Sequence, residues 1–183
     1  MSGKGYSVKA IVAMCSGRGI GKSGNLPWRL RKELSHFAKL TTTVEQEGKK
    51  NAVIMGHNTW KSIPEKFRPL PKRINVVLSR SVKDLGDNVI VCASLQEALG
   101  VLGETPLKND VESVWVIGGS SVYAEAMSMC DAIYLTEVLK EYECDTFLPE
   151  LPAGFKETND DPNVCYDVQE EAGVQYQYKV FKK

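Results

Sequence analysis

Six short apolar runs, rich in Val and Ile, recur along the chain at residues 8–14, 52–55, 74–78, 89–92, 114–117 and 132–138. Runs of this length, bounded by glycine, proline and polar clusters, read as strands buried on both faces. Between most of them lie stretches with apolar residues at helical spacing: 30–40, 59–62, 95–102 and 122–127. Strand alternating with helix predicts an α/β fold with a largely parallel central sheet and about four flanking helices. The C-terminal pattern differs. Tyr176, Tyr178 and Val180 alternate with Gln177 and Lys179, and residues 164–170 and 174–181 flank Glu171-Ala172-Gly173. This predicts an antiparallel hairpin closing one edge of the sheet.

In the helix predicted over 30–40, steps of three and four put Leu30, Leu34, Phe37 and Ala38 on one face. Glu33 lies one turn before Phe37 and borders that face. A carboxylate that looks into an apolar pocket needs a partner. A ligand with two parallel N–H donors matches it well. On helical spacing alone, a solvated surface glutamate is the simpler reading.

Ligands of open α/β sheets bind beyond the carboxyl ends of the strands, and three such ends carry glycine here. The first continues Ser16-Gly17-Arg18-Gly19-Ile20-Gly21-Lys22-Ser23-Gly24. Gly21-Lys22-Ser23 ends like a P-loop, but that motif needs glycine where Ser16 stands. Gly19, Gly21 and Gly24 match the spacing of a dinucleotide fingerprint. Both motifs need a helix to begin at the glycines, and Asn25-Leu26-Pro27 disfavours one. Both are rejected. The segment reads as a long flexible glycine-rich loop that covers a ligand, or as a plain exposed connector.

The second end is Gly56, followed by His57-Asn58-Thr59-Trp60; the third is Gly118-Gly119, followed by Ser120-Ser121-Val122-Tyr123. Asn58 or Thr59, and the two serines, are expected to cap helices there. Two helix starts at one sheet edge suit the two phosphates of a pyrophosphate. A further strand end carries Ser79-Arg80-Ser81, which reads as a phosphomonoester clamp or as a surface arginine between hydroxyls.

Composition narrows the function classes. With 183 residues the chain is long enough for one domain with a sizeable core. Lys plus Arg and Asp plus Glu are 23 each, which argues against nucleic acid or an anionic membrane as a bulk partner. The N-terminal Met1-Ser2-Gly3-Lys4-Gly5-Tyr6 has no apolar core of signal-peptide length, and no apolar run approaches the roughly 20 residues of a membrane span. The five cysteines are scattered and form no C-x-x-C pair, which fits free thiols in a reducing compartment. His36 and His57 are too far apart for a local metal motif, so no metal is expected. A soluble cytoplasmic protein is the expectation.

Taken together, five ordered motifs resemble the dihydrofolate reductase family. They are Ile20-Gly21-Lys22-x-Gly24-x-Leu26-Pro27-Trp28, Val53-Ile54-Met55-Gly56-x-x-Thr59-Trp60-x-Ser62-Ile63-Pro64, Arg73-Ile74-Asn75-Val76-Val77-Leu78-Ser79-Arg80, Ile117-Gly118-Gly119-Ser120-Ser121-Val122-Tyr123 and Asp145-Thr146-Phe147-x-Pro149. The resemblance runs over essentially the whole chain. It implies one domain over residues 1–183, an eight-stranded mostly parallel sheet with an antiparallel C-terminal strand, and an adenosine-binding subdomain at roughly 50–105. It implies NADPH-dependent reduction of 7,8-dihydrofolate, inhibition by antifolates such as methotrexate, and a monomer. The chain also looks complete as a single enzyme, ending directly after its last strand.

By the same resemblance, Glu33 would bind the pterin 2-amino group and N3, with Trp28 and Thr136 positioning water and that carboxylate. Leu26 and Tyr123 would complete the catalytic set. Ile11, Leu34, Phe37, Ala38, Ile63, Phe67, Leu70 and Ile117 would wall the substrate, and Arg73 would pair with the α-carboxylate of its glutamate tail. Ala13, the loop Gly19-Ile20-Gly21-Lys22-Ser23-Gly24-Asn25, and residues 118–123 would surround the nicotinamide end and pyrophosphate. Gly56, His57, Asn58 and Thr59 would meet phosphate, with Ser79, Arg80 and Ser81 near the 2′-phosphate. The family typically has a cis peptide at the position of Gly118-Gly119. Leu34, Phe67 and Ala93 depart from the vertebrate pattern; Ala93 stands where a second cofactor arginine is usual. Two rivals are weighed: a same-fold pyrimidine reductase of riboflavin synthesis, which needs no helix carboxylate, and a folate- or nucleotide-binding module without catalysis.

Overall fold

The computed structural model describes residues 5–183. Along the chain run β1 (Ser7–Met14), β2 (Gly19–Gly21), α1 (Arg31–Thr42), β3 (Lys50–Gly56), α2 (His57–Ser62), β4 (Arg73–Leu78), β5 (Val89–Cys92) and α3 (Leu95–Leu102). There follow β6 (Val111–Gly118), α4 (Ser120–Ala126), β7 (Ala132–Val138), β8 (Thr146–Phe147), β9 (Lys156–Thr158), β10 (Gln169–Glu171) and β11 (Val174–Lys182). Eight strands form one path in the order β10-β11-β7-β1-β6-β3-β4-β5. From β7 to β5 every pairing is parallel, and β11 runs antiparallel to β7. The α/β architecture, the mostly parallel sheet and its antiparallel C-terminal strand match the expectation. Short β9 adds a ninth strand beside the end of β11, and β2 and β8 form a separate pair.

Alternation along each strand splits the core into two layers. Ala10, Val12, Ile54, Val76, Val114, Val116 and Leu135 pack on one side with Leu95, Leu99 and Leu102 of α3 and Val122 and Tyr123 of α4. Ile11, Val53, Met55, Val77, Trp115, Tyr134 and Tyr178 pack on the other with Trp28, Leu30, Leu40 and Trp60. Both faces of the central strands are covered, which is why their sequences are continuous Val/Ile runs. Among the described residues no helix is long and apolar enough to cross a membrane.

The C-terminal hairpin is shorter on one arm than expected. Glu171 faces Val174 across a two-residue turn, with Ala172 at φ 51° and Gly173 at φ 78°, the left-handed pair of a type I′ turn. Only Gln169–Glu171 is strand; residues 164–168 are not. The outer edge of β11 is shared instead. β10 pairs with residues 174–176, β9 pairs with 180–182, and between them Gln177 Nε2 donates to the Tyr166 carbonyl.

Candidate active site

Glu33 sits in the first turn of α1 and is only 6% exposed. Thr136 Oγ1, on β7, donates to Glu33 Oε1 at 3.2 Å. Burial pushes the Glu33 carboxyl from its ordinary 4.5 up to about 7, and the Thr136 hydrogen bond opposes part of that rise. The helix turns differently from its predicted apolar face. Leu30 is the residue before the helix, in extended backbone, and the residues α1 buries are Glu33, Leu40 and Thr41. Leu34 is 51% exposed, while Phe37 and Ala38 are half-buried. The acidic edge of the helix turns inward, where Thr136 of the sheet below offsets only part of the cost of burying Glu33, and the apolar stripe lies beside it.

The other predicted substrate residues divide into two groups. Ile11 is buried in the core layer beneath α1, and Phe37, Ile63, Leu70 and Ile117 pack against that same layer. Leu26, Leu34 and Phe67 leave about half of their surface in solvent. Trp28 is buried in the same layer, its ring centroid 5.6 Å from that of Tyr142. Among the described residues its indole N–H has no hydrogen-bond partner.

Arg73 opens β4. Its Nη1 donates to Thr41 Oγ1 at 2.9 Å and its Nε to the Pro71 carbonyl at 2.9 Å. Burial lowers its pKa, and no carboxylate of the described residues forms a salt bridge with it. Thr41 lies eight residues beyond Glu33 on α1, about 12 Å along the helix axis at 1.5 Å per residue. One helix thus spaces a buried carboxylate from a fork of N–H donors. Thr41 was not among the predicted site residues, and nothing in its sequence neighbourhood marks it. A cavity of about 570 Å³ opens at the amino ends of β3, β4 and β5. Leu70 and Arg73 line it, but Glu33 does not, so it is not the carboxylate pocket.

At the opposite sheet edge, Met55 of β3 stands beside Gly118 of β6. α2 starts at His57 after Gly56, and α4 starts at Ser120 after Gly119. Neither start is capped by a side chain, contrary to the expectation for Asn58, Thr59, Ser120 and Ser121. The Thr59 hydroxyl instead lies against the glycine pair: a Cβ on Gly118 would come within 3.3 Å of its Oγ1. Gly118 has φ 133°, and the Gly118-Gly119 peptide is cis, as the family resemblance implies. Tyr123 Oη donates to the Ile11 carbonyl at 2.7 Å, tying α4 to β1. Burial first, then the nearby Glu33, raises the Tyr123 pKa. Past β4, Ser79 Oγ accepts from the Val82 amide, and Arg80 and Ser81 are exposed.

The glycine-rich segment is a strapped hairpin and not an open loop. β2 pairs with β8, and Lys22 bridges Asn25 across Ser23 (φ 51°) and Gly24 (φ 80°). The Ser23 amide donates to Asp145 Oδ2 and the Asp145 amide to the Gly21 carbonyl. Lys22 Nζ meets Glu143 at 3.1 Å. The Ser23 contact is the main reason the Asp145 carboxyl lies below its usual range. Ser23, Gly24, Asn25 and Leu26 are exposed at the tip.

The family model for dihydrofolate reductase matches residues 7–183. Dihydrofolate reductase of Aedes albopictus is 48% identical over 177 residues, 94% of this chain and 95% of that protein. The Gallus gallus enzyme of the same name is 47% identical over 182 residues, covering 97% and 96%. A solved structure of Schistosoma mansoni dihydrofolate reductase superposes with a TM-score of 0.86 at 36% identity, covering 97% of this chain and 98% of that one. A match this long, in sequence and in fold, settles descent: the chain belongs to the dihydrofolate reductase family.

Proposed function

We propose that the chain reduces 7,8-dihydrofolate to 5,6,7,8-tetrahydrofolate with NADPH, and that Glu33 orients the pterin. The observation that carries this reading is the buried Glu33 carboxylate, which among the described residues is held by Thr136 alone at one oxygen, beside a half-exposed apolar stripe. A carboxylate in such a setting is satisfied by a ligand that brings its own paired donors. The pterin 2-amino group and N3 supply them. Arg73, about 12 Å farther along α1 and already oriented by Thr41, suits the α-carboxylate at the far end of the same substrate. Ile11, Leu34, Phe37, Ala38, Ile63, Phe67, Leu70 and Ile117 would enclose the rings between these two charges.

The opposite edge fits a dinucleotide. Side-chain-free backbone at Gly56, Gly118 and Gly119 lets a pyrophosphate approach closely, and the uncapped starts of α2 and α4 offer amide donors. Ala13, residues 19–25, His57, Asn58, Thr59 and residues 120–123 would complete that wall, with residues 50–105 carrying the adenosine and Ser79, Arg80 and Ser81 its 2′-phosphate. When bound, NADPH supplies a hydride to C6 of the pterin.

The chain contributes alignment, electrostatics and control of water. Glu33 faces N3 in this pose, across the ring from N5, so it is not the donor of the N5 proton. Water passing Leu26 at the exposed tip of the strap delivers that proton. Trp28 and Thr136 fix the carboxylate side of the pocket. Tyr123, with its hydroxyl engaged by Ile11, holds α4 on β1 and takes no part in proton transfer. The test is loss of NADPH absorbance on adding dihydrofolate, abolished by methotrexate. Absorbance that stays constant would turn the reading toward a binding module without catalysis.

A further inference from the structure

Cys15 and Cys144 are 129 positions apart in sequence, yet their Sγ atoms approach to 3.7 Å. Cys15 is buried just after β1, and Cys144 is partly exposed just before β8. Gly19, the first residue of β2, lies between them. A Cβ there would stand 2.3 Å from Cys144 Sγ and 2.9 Å from Cys15 Sγ, so the missing side chain leaves the space in which the two sulfurs meet. Of the other cysteines, Cys92 and Cys130 are buried and Cys165 is exposed.

The geometry points to a redox modification site: Cys15 and Cys144 form a reversible disulfide that locks the glycine-rich strap, residues 16–25, onto the segment 140–148. An S–S bond is ~2 Å long, so the sulfurs have to close by less than about 2 Å, within reach of side-chain rotation. The co-reactant is a low-molecular-weight disulfide. The Cys144 thiolate, the more exposed of the two, attacks it, forming a mixed disulfide and expelling one small thiolate. Cys15 sulfur then attacks Cys144 sulfur, forming the protein S–S bond and expelling the second. Two electrons pass from the protein thiols to the added disulfide, and their two protons end on the released small thiols. Burial, and then the hydrogen bond with Cys15, hold the Cys144 thiol above its ordinary range, so the exchange is faster in mild alkali.

The consequence for turnover rests on the proposed role of the strap as cover for NADPH. In the reduced protein the strap is held at its root by the β2–β8 pairing and by Arg18 Nε to the Leu148 carbonyl, and toward its exposed tip by separable contacts: Ser23 amide to Asp145, Asp145 amide to the Gly21 carbonyl, and Lys22 with Glu143. Exposed contacts of this kind open locally. A covalent bond at the root of the strap does not, and a cover that cannot open slows ligand exchange.

The full chain is incubated with oxidised glutathione at mildly alkaline pH, mapped by peptide mass spectrometry, and assayed for NADPH oxidation. The expected result is a Cys15–Cys144 linked peptide, lighter by two hydrogens than the reduced pair. A fall in kcat on the order of tenfold is expected with it, because a strap that cannot open slows ligand exchange, and dithiothreitol restores the rate. Cys144→Ser, treated identically, should form no such link and keep its rate. Glutathione found on exposed Cys165 while Cys15 and Cys144 stay reduced overturns the proposal, as does a linked protein with unchanged kcat. The mass readout does not depend on folate reduction, so failure of the link and failure of the proposed activity are distinguishable.

Discussion

Replacing Glu33 by glutamine should stabilise the ligand-free protein, by an amount that depends on pH. In the folded chain burial holds the carboxyl at about 7, whereas its ordinary value is 4.5. Between those values the folded state still binds a proton that the unfolded state has released. Stability therefore falls as pH rises from 4.5 to about 7 and levels off above it. At ~1.4 kcal/mol per pH unit, the full penalty is about 3 kcal/mol, of which roughly 2–3 kcal/mol develops between pH 5 and 8. Glutamine has no proton to lose and keeps an oxygen that accepts from Thr136. Its advantage over the parent should grow by that amount across the interval. Urea unfolding of both proteins at pH 5 and pH 8 measures it. With a urea slope of ~1–3 kcal/mol/M, the gap between midpoints should widen by about 1–2 M. An identical gap at both pH values would refute the reasoning, because it would mean that the Glu33 carboxyl titrates alike in the folded and unfolded chains.

Other outcomes follow from the same geometry. Arg73→Ala should raise KM for dihydrofolate by roughly 10- to 100-fold, the size of one charge-assisted contact, with kcat little changed; Thr41→Val, which removes the contact that orients Arg73 together with the hydroxyl's bond to the Phe37 carbonyl, should do the same more weakly in steady-state assays. Gly118→Ala puts a side chain at φ 133° and 3.3 Å from Thr59 Oγ1, so a fluorescence titration should show weakened NADPH binding and thermal melting a stability loss of ~1–3 kcal/mol. Arg80→Gln should raise KM for NADPH and leave that for NADH unchanged; equal effects on both would remove Arg80 from the 2′-phosphate.

Much of the scaffold was legible because the central strands are buried on both faces and leave continuous apolar runs. The run at 132–138 matches β7 residue for residue. β2, β8 and β9 were not legible, since two or three residues carry no period, and Gly-Ile-Gly in particular resembles a loop. Glycines do end β3 and β6 as the sequence predicts, but the helix starts were assigned to the wrong residues. Polar side chains near a helix start suggest caps, and only the fold reveals that the Thr59 hydroxyl lies beside the Gly118-Gly119 pair. The face of α1 was misread for a related reason. Helical period shows which residues align, not which side meets the sheet, and the Thr136 hydroxyl that accommodates Glu33 is 103 positions away. Pairs such as Arg73 with Thr41 and Cys15 with Cys144 are also created by topology alone.

The most direct test of the central claim, that dihydrofolate turnover depends on the buried Glu33 carboxylate, is the pH profile of that turnover by Glu33→Gln. The account predicts a loss on the order of 100-fold or more at pH 7, the size of one removed electrostatic contact, with partial recovery toward pH 5, where solvent protonates the substrate directly. Turnover equal to the parent at pH 7 would contradict it.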